Sequence, residues 1–220
     1  MSEFLKYLLE CKDVLYIYNR GSIIYGINDE LSDIDYLVVV QEYWTLPEKY
    51  RDCVYTKDKQ FNNIKIGNED FIFFGINEWF KKVMNGNMEA WECACLNKKF
   101  ILKEHVKLML VTNPLQLRKH YEAQPLYYEH LNTRRRNKFF WNRIKYVKFA
   151  NQIIENHKII NMKQANDDWN QLKNIEDKSE AYDKYQSLIE KDLLLFYKYT
   201  DGILKRDREK TILERINANL

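Results

Sequence analysis

The chain has 220 residues, 45% hydrophobic and 15% aromatic, which suffices for one large domain or two small ones and excludes disordered, collagen-like and low-complexity classes. Its 35 Lys and Arg against 32 Asp and Glu leave a net charge of +3, too near neutral for a protein that coats nucleic acid, so any basic surface must be local. The 4 cysteines include no C-x-x-C pair, which argues against a disulfide framework or zinc ribbon and for reduced, mostly buried thiols.

Residues 1–12 hold an apolar run interrupted by Glu3, Lys6 and Glu10. It is too short to span a bilayer and lacks a small-residue cleavage site, so a cytoplasmic protein with no membrane partner is expected. The same residues predict a first helix over 3–12, capped by Ser2, with Phe4, Leu5, Leu8 and Leu9 at helical spacing. Val14 to Tyr18 reads as a strand that stops at the turn Arg20-Gly21-Ser22. Ile34 to Val40 is a second strand, apolar on both faces as a central strand must be. Residues 41–60 are polar, carry Pro47 and read as a connection. A third strand is expected over Phe61 to Ile66, a turn at Gly67-Asn68, and a fourth strand over Asp70 to Phe74. Asn77 is the expected cap of a helix over 78–85 that stops at Gly86, and another helix is expected over 88–96. From about 113 the periodicity is helical nearly to the end. The expected fold class is therefore α+β, with a mixed sheet-and-helix domain over 1–112 and an all-helical domain over 113–220.

The chemistry concentrates in Gly21-Ser22, ten intervening residues, and Asp33-Ile34-Asp35 running into the apolar strand. Residues two apart in a strand share a face, so Asp33 and Asp35 point to one side while Ile34 enters the core. Two adjacent carboxylates repel, and a divalent cation between them removes that cost; hard oxygen donors suit Mg²⁺ or Mn²⁺. A Gly-Ser turn offers backbone N–H groups and a hydroxyl to a phosphate with no side chain in the way. Together these parts point to phosphoryl or nucleotidyl transfer.

The string GSIIYGINDELSDIDYLVVV resembles the signature of the DNA polymerase β nucleotidyltransferase superfamily, and Tyr25-Gly26 after Gly-Ser makes it similar to the RNA-ligase-associated predicted nucleotidyltransferases. The stretch from Asp70 through Asn85-Gly86-Asn87 to Glu92 resembles that family's segment after its third carboxylate. The resemblance implies a small mixed sheet with flanking helices and a site for two Mg²⁺ (or Mn²⁺) ions. It implies that Asp33 and Asp35 hold both ions, that Asp70 completes the site and orients the attacking hydroxyl, and that Gly21 and Ser22 grip the phosphates of an NTP. Glu69, next to Asp70, is expected to face the other way. The 41–68 connection departs from the family pattern.

In the helical half, Arg118 to Lys148 carries nine basic residues against Glu122 and Glu129. The basic helix 134–148, with Phe139, Phe140 and Trp141 beside its cations, fits RNA phosphates and bases or, equally, a solvated helix start. Arg143 falls in the middle of an apolar arc of that helix, with Lys145 and Lys148 on a different, more exposed face. A guanidinium facing a core needs a partner, either the nucleotide triphosphate, which makes Arg143 a nucleotide-binding residue and is the favoured reading, or a structural carboxylate. The four histidines show no ligand spacing, and the stripe from Leu188 to Ile203 reads as packing or a dimer surface. The function expected is a Mg²⁺-dependent nucleotidyltransferase that moves NMP from an NTP to a hydroxyl, with an RNA or tRNA end as the favoured acceptor; the alternative is a catalytically silent nucleotide- or RNA-binding module.

Overall fold

In the computed structural model, which describes residues 1–28, 32–56, 63–106, 113–124 and 126–217 without the side chains of 55, 56 and 208–217, the chain is α+β and divides into two units. One is Met1–Met84 with Glu89–Leu110, the other Asn85–Met88 with Val111–Leu220. Phe61, Pro125, residues 29–31 of the Gly-Ser string and the expected boundary at 112 lie outside the described residues.

The first unit is built on a mixed sheet of six strands in the order β3-β4-β5-β2-β1-β6. The strands are β1 (Val14–Arg20), β2 (Ile34–Val40), β3 (Val54–Thr56), β4 (Asn63–Ile66), β5 (Glu69–Gly75) and β6 (Ile101–Glu104). Sequence reasoning finds four of them. It misses β3, three residues inside a polar connection, and β6, a half-exposed edge strand with no continuous apolar run. Every neighbouring pair is antiparallel except β2 with β5. A parallel pair needs a long crossover, and residues 41–68 supply it, returning through β3 and β4 before a tight turn at Gly67 (φ 61°) delivers β5.

The two sheet faces are covered differently. On one, α1 (Glu3–Glu10) lays Phe4, Leu5 and Leu8 over Ile17, Tyr36, Val38, Ile64, Phe71 and Phe73. On the other, Trp79 of α3 (Ile76–Met84) stacks on Tyr16 and Tyr18, at 5.7 and 6.1 Å between ring centroids. The helix starts one residue before Asn77, whose backbone N–H donates to Glu42 Oε1, so Asn77 is not the cap that the sequence suggests. α4 follows over Met88–Ala94.

In the helical unit, α5 (Pro114–Glu122), α6 (Thr133–Asn156), α7 (Asn166–Leu172) and α8 (Lys178–Asn217) surround a core that includes Phe140, Tyr185, Ile153 and Phe196. Asn113 and Asn132 cap α5 and α6 by accepting from the N–H of Gln116 and Arg135. Tyr146 Oη lies 2.8 Å from the carbonyls of both Gly86 and Leu117, tying residues 85–88 to this unit. No helix among the described residues is long and apolar enough to cross a membrane.

Ser2 joins both ends of the first helix's anchorage. Its Oγ accepts from Leu5 N–H at 3.1 Å and donates to Glu69, whose carboxylate is buried on the α1 face. Ser2→Ala removes a helix cap and a partner of a buried carboxylate at once, so stability should fall by about 1–3 kcal/mol in urea titration. Exposed Ser187→Ala should change it by less than ~0.5 kcal/mol.

Candidate active site

The parallel register of β2 and β5 sets Ile34 against Glu69 and Asp35 against Asp70. Directly opposed residues share a sheet face, so the two aspartates are neighbours on the face away from α1, while Glu69 turns to the α1 side. The row continues outward: Arg20 of β1 opposes Asp35, and Lys65 of β4 opposes Asp70. Four adjacent strands thus carry Lys65, Asp70, Asp35 and Arg20 side by side, two acids flanked by two bases. Asp33, two residues before Asp35, lies on the same face, and its Oδ2 accepts from Lys65 Nζ at 2.7 Å. That hydrogen bond, with the fields of Asp33, Asp70 and Asp35, holds the Lys65 ammonium above its ordinary pKa.

At the other end of the row the chain leaves β1 at Gly21, with φ at 70°. A Cβ there would sit 2.0 Å from Asp35 Oδ2, so the bend approaches the carboxylate as only glycine allows. Ser22 then opens α2 (Ser22–Tyr25), a single turn closed by Gly26 in the left-handed region. Helix α4 braces this bend from behind. Arg20 Nη2 donates to Glu89 Oε1 at 2.5 Å, and the buried Tyr25 hydroxyl donates to Glu92 Oε2 at 2.5 Å. Burial, then Glu92, pushes the Tyr25 hydroxyl pKa well up, which keeps it a donor. Burial opposes the charge on Arg20, but Glu89, Cys93, Asp35 and Glu92 outweigh it and raise the guanidinium above its usual value.

Lys65, Arg20 and the Glu89 brace escape the sequence reading. Their roles depend on strand register and helix placement, and a lysine in a short polar strand carries no signal by itself. The row fits a divalent cation in donor chemistry, since it offers three carboxylates on one face and already attracts a cation, the Lys65 ammonium. Among the described residues, no three His, Cys, Asp or Glu side chains converge closely enough to hold a metal ion as they stand, and Asp33 is paired with Lys65. No family model matches the chain. Nor is any curated protein significantly similar to it.

The helical unit treats its basic residues otherwise than expected. Arg143 is buried, its Nε donating to Tyr185 Oη at 3.2 Å, its Nη1 to the Gln124 carbonyl at 3.0 Å, and its Cζ 4.3 Å from the Tyr121 ring centre. No carboxylate among the described residues pairs with it, so hydroxyl, carbonyl and ring take the place of the structural acid that sequence reasoning offers. The nucleotide role expected for Arg143 draws no support from these partners. Lys145 and Lys148 do not form the exposed face anticipated. Lys145 is buried with its Nζ 5.0 Å from the Trp141 ring centre, and Lys148 donates to Asp168 at 2.6 Å with Asp192 at 3.8 Å. Arg136 is buried and donates to the Ile175 and Glu176 carbonyls. Phe140 and Trp141 are buried too, Phe140 stacking on Tyr185. Lys119, Arg134, Arg135 and Lys138 are the members of the basic segment that stand exposed.

Gly21→Ala should push the Asp35 carboxylate out of its place and force an alanine into the left-handed region. Thermal denaturation should register about 1 kcal/mol or more of lost stability, and Mn²⁺ affinity should fall with it. Unchanged Mn²⁺ affinity would detach the bend from the acid row. Arg143→Ala leaves a buried hydroxyl and carbonyl without their donor and should cost about 1–3 kcal/mol in the same measurement. Nucleotide affinity should be unaltered; its loss would return Arg143 to the nucleotide.

Proposed function

We propose that this chain is a divalent-metal-dependent nucleotidyltransferase, of the kind its Gly-Ser and Asp-x-Asp string resembles in the DNA polymerase β superfamily. The reaction joins an acceptor hydroxyl oxygen to the α-phosphorus of an NTP while the bond from that phosphorus to the bridging oxygen breaks, pyrophosphate leaves and the hydroxyl proton passes to water. One observation carries the reading: Asp35 and Asp70, 35 positions apart, are register partners at the start of two parallel strands, with Asp33 on the same face and the Gly21 bend against Asp35.

In this reading Asp33, Asp35 and Asp70 hold two Mg²⁺ or Mn²⁺ ions. Bound there, the ions stabilise charge on the reacting phosphate and lower the pKa of the attacking hydroxyl. The chain's own part is positional. Asp70 orients the acceptor hydroxyl, Ser22 Oγ and the amides beside Gly21 take phosphate oxygens, and the Arg20–Glu89 and Tyr25–Glu92 bonds keep that bend rigid against the row. An RNA or tRNA end is the proposed acceptor, supported by the family resemblance and by the exposed cations Arg134, Arg135 and Lys138.

Incubation with each α-labelled NTP, Mg²⁺ and total RNA should yield labelled RNA. Asp33→Asn and Asp35→Asn should each lower the transfer rate ~100-fold or more, since losing a metal-holding carboxylate removes several kcal/mol from transition-state stabilisation. Transfer undiminished in either variant would sink the mechanism. Nucleotide binding without transfer in the wild type would make the row the site of a silent binding module.

A further inference from the structure

Lys65 stands in an unusual relation to the acid row. It lies on β4, its direct cross-strand neighbour is Asp70 on β5, and yet its ammonium bonds to Asp33, which precedes β2. The strand order β4-β5-β2 means that its side chain crosses over β5 to reach that partner. Strands lie about 4.8 Å apart, so two of them span ~10 Å, which an extended lysine and an aspartate together can bridge. The ammonium that bonds to Asp33 thereby also feels the charges of Asp70 and Asp35, the two carboxylates with which Asp33 would share a cation. The side chains of Lys65 and Asp33 are 46% and 47% exposed, so the pair opens to solvent without disturbing the core.

We propose that Lys65 is the resident counter-cation of the acid row and that divalent metal binds by displacing its ammonium from Asp33. The inference rests on the metal reading given above and adds the regulation of that same site. With Lys65 in place the two opposed aspartates and Asp33 are partly neutralised by Lys65 on one side and Arg20 on the other, which offsets the repulsion between like charges on neighbouring strands. Lys65 is a positioning residue in this scheme. It keeps Asp33 turned aside in the metal-free protein and releases it to the ion.

Two measurements on the full chain test this, and neither depends on turnover. Free Mn²⁺ is counted by electron paramagnetic resonance while wild type, Lys65→Met and Lys65→Arg are titrated at low salt. Lys65→Met removes the competing ammonium and should tighten Mn²⁺ binding up to about fivefold, the equivalent of ~1 kcal/mol, the upper worth of an exposed ion pair. Lys65→Arg keeps a cation and should stay near wild type. In parallel, the wild type is labelled with an amine-reactive reagent and read by mass spectrometry. Labelling at Lys65 should rise several-fold on saturation with Mn²⁺, while exposed Lys119 and Lys138 stay constant. Mn²⁺ bound by the wild type with unchanged Lys65 labelling, or weakened or unaltered binding in Lys65→Met, would overturn the displacement and leave the metal site standing. No Mn²⁺ bound by the wild type at millimolar concentration would overturn both.

Discussion

The parallel pairing of β2 with β5 is the constraint on which the candidate site depends. The two strands start level, Ile34 against Glu69, and that register puts Asp35 against Asp70. Opposed like charges destabilise a sheet, so the arrangement needs compensation. The sheet supplies it within the same row through Arg20 and Lys65, one strand further out on each side. A one-residue slip in the register would bring Glu69 to the face of the candidate site and bury Asp70 under α1, exchanging the places of the two neighbours.

The same alternation explains how one short segment serves two ends. Glu69 faces the α1 side, where Ser2 holds it and fixes the start of the helix that covers the aromatic core. Asp70, one residue on, belongs to the opposite face. Adjacent carboxylates are thus sent to opposite faces by the pleat alone, one to the α1 packing and one to the candidate site. Behind the Gly21 bend, the two glutamates of α4 lie three residues apart and so share one helix side, which lets a single helix brace both Arg20 and Tyr25.

In the helical unit, charge in the sequence is a poor guide to charge at the surface. Arg136, Arg143, Lys145 and Lys148 turn inward along α6, where their long stems fill space between helices and their heads meet carbonyls, rings and one acidic pair. What remains outside is Arg134, Arg135 and Lys138 in the first two turns of that helix and Lys119 of α5. The buried cations specify how α6 sits among its neighbours more than they offer a surface to nucleic acid.

The sequence by itself determined much of the local frame. The Ser2 cap, the apolar runs of β2 and β5, the Gly21 bend, the Gly67 turn and the helical second half are written in side-chain periodicity and backbone permissiveness, which act over a few residues. The sharing of a face by Asp33 and Asp35, and the turning away of Glu69 from Asp70, follow from the same period of two. Only the tertiary structure decided which strands are neighbours, and with that the meeting of Asp35 with Asp70, the span of Lys65 across β5, the brace from α4 and the inward turn of Arg143. Those contacts join residues tens of positions apart, and their geometry is fixed by strand register and helix packing, which no local pattern encodes.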